Sequence, residues 1–343
     1  MEQKSQHRKR VLQLAFLAFL VIGTVLIIGH QRNMPYQQNE GNVFGTSYHI
    51  TYQSDEDLQQ EIEEELKKVD DALSMFNTKS TISKVNRNEK TELDKMFIQV
   101  VELAQKISND TDGAFDITVA PLVNAWGFGF KTGTSVAKET IDSIKSFVGY
   151  QKISILGKEL KKQDKRTMLD CSAIAKGYGS DIVAAFLKKR GIENYMVEIG
   201  GEVVIHGVSP KRMPWRIGVT KPSDDSLSID NDLQTVLSIT DKAMATSGNY
   251  RNFYYKDGRK YAHTIDPKTG HPVQHSLLSA TVIADNCATA DAYATSFMVM
   301  GMEKAKEVLK RNPKLMAYLI YTDKNGELST WNSPEMKKMI PEE

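Results

Sequence analysis

Only two cysteines, Cys171 and Cys287, occur in 343 residues. That rules out a disulfide framework. The two read as buried small thiols, with a single bridge open to them in an oxidising compartment. Neither sign of charge is in excess: 44 Lys and Arg face 43 Asp and Glu, for a formal net charge of +1. Such a balance leaves no electrostatic footprint for nucleic acid. The chain also lacks a Walker A loop, H-E-x-x-H, paired C-x-x-C and G-x-S-x-G. Its nearest approach to a dinucleotide fingerprint is Gly127-Phe-Gly-Phe-Lys-Thr-Gly133, whose third glycine falls one residue late and follows no clear buried strand. Phosphate handling by the familiar helix-terminus loops is therefore disfavoured, and a nucleotide site must be built another way. There is no internal repeat.

Long apolar stretches are confined to the N-terminus. Lys4, Arg8, Lys9 and Arg10 precede an apolar run from Val11 to Gly29, broken only by Gln13, Gly23 and Thr24. At about 1.5 Å per residue this run just crosses a hydrocarbon core of about 30 Å. Ile27-Ile-Gly-His-Gln31 offers no small-residue cleavage site, and no cysteine follows for lipid attachment. The reading is an uncleaved, single-pass anchor in a cell membrane. Residues 1–10 are expected in the cytoplasm as a basic stub, 11–29 in the membrane, 30–41 as a linker and 42–343 outside as one folded unit.

Within that unit Thr46–Tyr52 alternates as a strand, and Leu58, Ile62, Leu66, Val69 and Leu73 recur at helical spacing. Ser80–Arg87 reads as a loop, Leu93–Ile107 as a helix and Gly113–Val123 as a strand or extended loop. Asn124–Gly133 is rich in glycine and aromatics, and Ala137–Gly149 is helical. Two short strands then flank a charged turn, Gly157–Lys165. Ala173–Arg190 forms a helix stopped by Gly191. Strands dominate from Tyr195 to Ala284, with a surface loop at Ser223–Asp232. Helices at Ala288–Met300 and Met302–Arg311 and a strand at Met316–Tyr321 close the chain. Runs of strands segregated from helices predict an α+β fold, a largely antiparallel sheet core with packed helices, preceded by the transmembrane helix.

Two segments hold the strongest chemistry, Asp170-Cys-Ser-Ala-Ile-Ala-Lys-Gly-Tyr178 and Ala284-Asp-Asn-Cys-Ala-Thr-Ala-Asp-Ala-Tyr-Ala-Thr295. Each puts a carboxylate and small residues at a loop-to-helix junction. Asp291 and Thr295 are four apart, so on a helix they share a face and aim two oxygens at one point. An all-oxygen set suits Mg²⁺ rather than zinc. The bland alternative is an Ala-rich helix whose acid is stabilised by the helix dipole.

Four further segments occur in fixed order with these two. They are Gly113-Ala-Phe-Asp-Ile-Thr-Val-Ala-Pro-Leu122, Val197-Glu-Ile-Gly-Gly-Glu202, Ala245-Thr-Ser-Gly-Asn-Tyr-Arg251 and His263-Thr-Ile-Asp-Pro-Lys-Thr-Gly-His-Pro272. Together the six resemble the ApbE family, the FAD:protein FMN transferases, from about Asn42 to about Tyr321. The resemblance implies cofactor contacts at Phe44, Phe76, Ala114, Phe115, Asp116, Asp170, Lys176 and Ile265. It implies a Mg²⁺ site from Asp291, Thr295 and the backbone carbonyl of Ala173. It also gives His263 and Asp266 polar roles at the reacting phosphate, with either one assisting the attacking hydroxyl.

The activity implied is Mg²⁺-dependent transfer of FMN from FAD to a threonine or serine hydroxyl of an acceptor flavoprotein, with release of AMP. The alternatives are an FAD pyrophosphatase yielding FMN and AMP, and a non-catalytic FAD-binding protein. The partners implied are FAD, an acceptor flavoprotein with an exposed Thr/Ser motif and the membrane, with no nucleic acid.

Overall fold

The computed structural model describes residues 2–129, 136–222, 232–249, 253–256 and 259–341. Residues 130–133 of the Gly- and aromatic-rich stretch, 223–231 of the Ser223–Asp232 loop, and Tyr250 and Arg251 lie outside the described residues.

The chain opens with α1 (Glu2–Asn33), followed by the hairpin β1 (Tyr36–Val43) and β2 (Thr46–Gln53). Next come α2 (Gln59–Leu73), α3 (Thr81–Asn86), α4 (Lys95–Asp110), α5 (Ala120–Ala125) and α6 (Lys138–Lys145). A ribbon of β3 (Ile153–Leu156) and β4 (Glu159–Lys162) leads into α7 (Ser172–Lys189). The strands β5 (Tyr195–Ile199), β6 (Glu202–His206), β7 (Trp215–Thr220), β8 (Leu233–Ile239) and β9 (Lys242–Gly248) follow. A second ribbon, β10 (Phe253–Lys256) and β11 (Arg259–Ala262), precedes β12 (Leu277–Ala284). The last elements are α8 (Cys287–Met300), α9 (Met302–Arg311), β13 (Met316–Thr322) and β14 (Leu328–Asn332).

One sheet organises the fold, with strand order β1-β2-β5-β6-β9-β12-β13-β14. Each neighbouring pair is antiparallel. The α+β expectation with an antiparallel core is met. Both faces of the sheet are covered, and the period of two shows which side chain serves which face. Ala317 and Leu319 of β13 and Ala280, Val282 and Ala284 of β12 join the helix-side core with Phe97, Val101 and Phe297. Met316, Tyr318 and Ile320, with Ile283 and Met244, face Trp215, Val219, Leu237 and Ile239 of the β7–β8 ribbon. α8 is buried on nearly every side. Its Ala-rich sequence is that of an inner helix held between the sheet, α7 and α4, not that of a solvated surface.

Local structure differs from the sequence reading in several places, among them β4, which lies inside the Gly157–Lys165 turn, and β11 and β14, which the pattern of residues did not announce. Tyr36–Val43, placed largely in a linker, pairs residue for residue with β2; its glutamines and asparagines hide the signal because an edge strand needs no apolar face. Ser80–Arg87 holds α3 instead of a loop, and the Ser80 side chain accepts from the Ser83 amide, a helix cap legible in hindsight. Gly113–Val123 ends in α5 instead of a strand, with Pro121 in its first turn, where a missing N–H costs nothing.

α1 covers the apolar run Val11–Gly29, and its large apolar side chains, among them Leu14, Phe16, Phe19 and Ile22, are exposed. Over the residues whose side chains are described, which leave out 26–28 and 30–33 of α1, no helix is long and apolar enough to cross a membrane.

Candidate active site

The site begins where α7 meets α8. At Gly177 an added Cβ would sit 2.5 Å from the Cys287 carbonyl oxygen, so only glycine permits this approach. The contact lets the Gly177 amide donate to Asp291 Oδ2 at 3.2 Å. One turn on, Asp181 accepts from the amides of Cys287 and Ala288 at 2.7 and 2.8 Å, satisfying two orphan donors at the start of α8. Burial pushes the Asp181 carboxyl up to about 6 against those two N–H groups, and the charge of Asp291 adds to the rise. Cys171 and Cys287 are both buried and free.

Beside Asp291 lies an ion pair. Lys176 Nζ stands 2.7 Å from Glu202 Oε2, and both Glu202 and Asp291 are almost wholly buried. That ammonium is the group that serves the buried Oε2. Burial opposes the charge on Lys176, but the Asp291 and Glu202 carboxylates together hold its pKa above the ordinary value. Burial raises Glu202 and Asp291 in turn, and Lys176 pulls both back. The Gly200–Gly201 turn closes over this pair with both residues in the left-handed region, and a Cβ at Gly200 would stand 2.8 Å from Thr46 Cγ2.

These groups line one cavity of about 710 Å³, a size suited to an extended small ligand. Its lining combines apolar and aromatic side chains, Met75, Phe76, Phe115, Phe128 and Ile217, with polar ones, Lys176, Ser247, His263, Asp291 and Thr295. Thr295 Oγ1 is 3.0 Å from Ser247 Oγ. The His263 and Phe128 rings meet edge to face, with centroids 6.4 Å apart.

Of the residues selected from sequence, Phe76, Ala114, Phe115, Asp116, Asp170, Ala173, Lys176, His263, Ile265, Asp291 and Thr295 all line this cavity. Phe44 and Asp266 do not. Phe44 has φ +52° and packs partly buried between two core clusters, against Gly179. Asp266 is engaged in its own turn: Oδ1 accepts from the Lys268 amide, and its backbone pairs with His271 and Gly270.

Two lining acids also have structural tasks. Asp116 is buried, and its carboxylate accepts from the Thr118 amide and hydroxyl and from the Tyr150 amide; burial raises its pKa against those bonds. Asp170 Oδ1 accepts from the Ser172 amide at the start of α7. Glu198, Glu202 and Thr264 also line the cavity, and their residue types and spacing announce no role; Ser247, expected in a turn that faces the ligand or closes a hairpin, lines it from β9. For Glu202 the one signal is its place at the close of the Val197–Glu202 motif, directly after the glycine pair.

The donor chemistry fits a hard cation. Asp291, Thr295 and Ala173 line one cavity, where a carboxylate, a hydroxyl and a backbone carbonyl are the oxygen donors they can offer; among the described residues Asp291 accepts one bond, from the Gly177 amide. Among the described residues no group of three or more His, Cys, Asp or Glu is placed to hold a metal.

The cavity thus joins aromatic and charged side chains on an antiparallel α+β scaffold. The chain belongs to the ApbE family, which it matches over residues 44–320. It is 37% identical over 310 residues to the FAD:protein FMN transferase of Vibrio cholerae serotype O1, covering 87% of this chain and 92% of that one. To the FAD:protein FMN transferase of Escherichia coli K12 it is 34% identical over 318 residues, covering 89% of each. The solved flavin transferase ApbE from Vibrio cholerae superposes with a TM-score of 0.80 at 36% identity, over 89% of this chain and 99% of that one.

Proposed function

We propose that this chain transfers FMN from FAD to a threonine or serine hydroxyl of an acceptor flavoprotein and releases AMP. The observation that carries the reading is the convergence of Asp291, Thr295, Ala173, Lys176 and His263 with aromatic side chains on one cavity. Family membership, and relatives named FAD:protein FMN transferase, support it.

The chemistry follows from the residues. The isoalloxazine ring fits the apolar lining of Phe115 and Phe128, with Phe76, 78% exposed, at its open side. Lys176 offers its ammonium to the pyrophosphate. His263 takes the proton of the acceptor hydroxyl as its oxygen attacks the phosphorus of the FMN half. The bond from that phosphorus to the bridging oxygen breaks, and the bridging oxygen leaves with AMP. Mg²⁺, held by Asp291, Thr295 and the Ala173 carbonyl, would supply neutralisation of the phosphoryl charge.

The reading includes α1 as a single-pass anchor in a bacterial cell membrane, with residues 1–10 inside and the catalytic domain outside. The exposed apolar side chains from Val11 to Val25 support it, since they need a non-aqueous cover, as does the basic cluster before them. The test of the whole reading is to incubate the full chain in detergent with FAD, Mg²⁺ and a threonine-bearing acceptor flavoprotein, then weigh the acceptor. A gain of one FMN phosphoester supports it; an acceptor of unchanged mass with FAD bound to the enzyme would leave a binding protein.

A further inference from the structure

Glu202 is the buried acid to which the proposed reaction gives no task. It opens β6 immediately after the Gly200–Gly201 turn, is 2% exposed, lines the cavity and turns Oε2 to the Lys176 ammonium. A carboxylate buried in this way is costly unless its charge serves a neighbour. That neighbour is Lys176, which feels both Glu202 and Asp291. Among the described residues Lys176 forms its ion pair with Glu202, at 2.7 Å, and none with Asp291. Among the described residues the Asp291 carboxylate accepts one hydrogen bond, from the Gly177 amide.

We propose that Glu202 is a positioning residue that holds the Lys176 ammonium away from Asp291, so that the Asp291 carboxylate stays open to a divalent cation. The inference rests on the cation role given to Asp291 above. Without the charge of Glu202, the flexible four-carbon stem of Lys176 lets the ammonium turn to the remaining acid. A direct Lys176–Asp291 pair then competes with the incoming ion. Glu202 touches neither flavin nor reacting atoms in this scheme; it acts through Lys176.

The test is binding of Mn²⁺ alone, without flavin, to the full chain in detergent, followed by electron paramagnetic resonance. Glu202→Gln should weaken binding by about tenfold, within the range of coupling between contacting groups. In a Lys176→Met background the same substitution should change binding by less than about twofold, since the competitor is gone. Lys176→Met alone should bind Mn²⁺ at least as tightly as the parent. In a metal-free crystal structure of Glu202→Gln, Lys176 Nζ should lie within hydrogen-bond reach of the Asp291 carboxylate. An equal loss in both backgrounds, or parent-like binding by Glu202→Gln, overturns the inference. Asp291→Asn separates the two claims: if parent binding does not depend on Asp291, the cation reading fails and takes this inference with it. Asp291-dependent binding that is indifferent to Glu202 and Lys176 sinks this inference alone.

Discussion

The amide of Gly177 on α7 donates to Oδ2 of Asp291 on α8 at 3.2 Å, the bond that seats the central acid of the cavity. It exists because two helices touch where one has no side chain. Gly177→Ala places a methyl 2.5 Å from the Cys287 carbonyl oxygen and 2.7 Å from its carbon, backbone atoms that cannot rotate aside. We expect a loss of about 1–3 kcal/mol in stability, read as a lower Tm. Transfer should fall further than the lost folded fraction accounts for, because Asp291 moves with α8. An unchanged Tm would show that the helices do not meet in this way.

Asp291→Asn keeps the size of the side chain and its bond from Gly177 but removes the charge. FMN transfer should drop by about two orders of magnitude or more, since charge neutralisation at a phosphoryl centre is worth several kcal/mol. FAD binding, carried by the apolar lining, should weaken far less. Parent-rate transfer at limiting Mg²⁺ would reduce Asp291 to a helix-borne acid with no part in the reaction.

His263 and Asp266 separate by position. His263 lines the cavity, while the Asp266 carboxylate is bonded within its own turn. His263→Ala should cut acceptor labelling by about 10²-fold or more with FAD still bound, the scale of a lost general base. Asp266→Asn keeps the turn acceptor and should stay within a few-fold of the parent. The reverse order of effects, measured as initial labelling rates, would exchange their roles.

The sequence displays this site unevenly. Asp291 and Thr295 declare themselves by helical spacing, and β12, β13, α2 and α4 by the period of their apolar residues. Glu202 and Asp181 stay hidden. Their meaning depends on partners 26 and 106 residues away, Lys176 and Cys287 respectively, which only the tertiary fold brings near. β1 carries no apolar signal, because its pairing with β2 uses backbone groups and its side chains are largely polar. The family pattern points to Phe44 as a cofactor contact, yet its ring packs partly buried against two core clusters.

Asp181 predicts a pH signature. Its folded-state pKa is raised from 3.8 to about 6, chiefly by burial. The folded protein therefore holds that proton more tightly than the unfolded chain. The stability this brings is fully present below about pH 4 and is lost as pH rises to about 6. Asp181→Asn removes the titration and can accept only one of the two amides of α8. The variant should melt lower at pH 4, and the gap should narrow by pH 7. Melting curves that run parallel from pH 4 to 7 would contradict the assignment.

The central claim is transfer to protein in preference to transfer to water, and free FMN against protein-bound FMN in a single time course tests it most directly. The full chain in detergent receives FAD, Mg²⁺ and a flavoprotein acceptor with an exposed threonine, and both products are quantified by mass as AMP accumulates. The account predicts slow consumption of FAD alone and fast, near-stoichiometric labelling once the acceptor is present, because docking brings the hydroxyl in line. Rapid release of free FMN with no labelled acceptor would contradict it and define an FAD pyrophosphatase built on the same site.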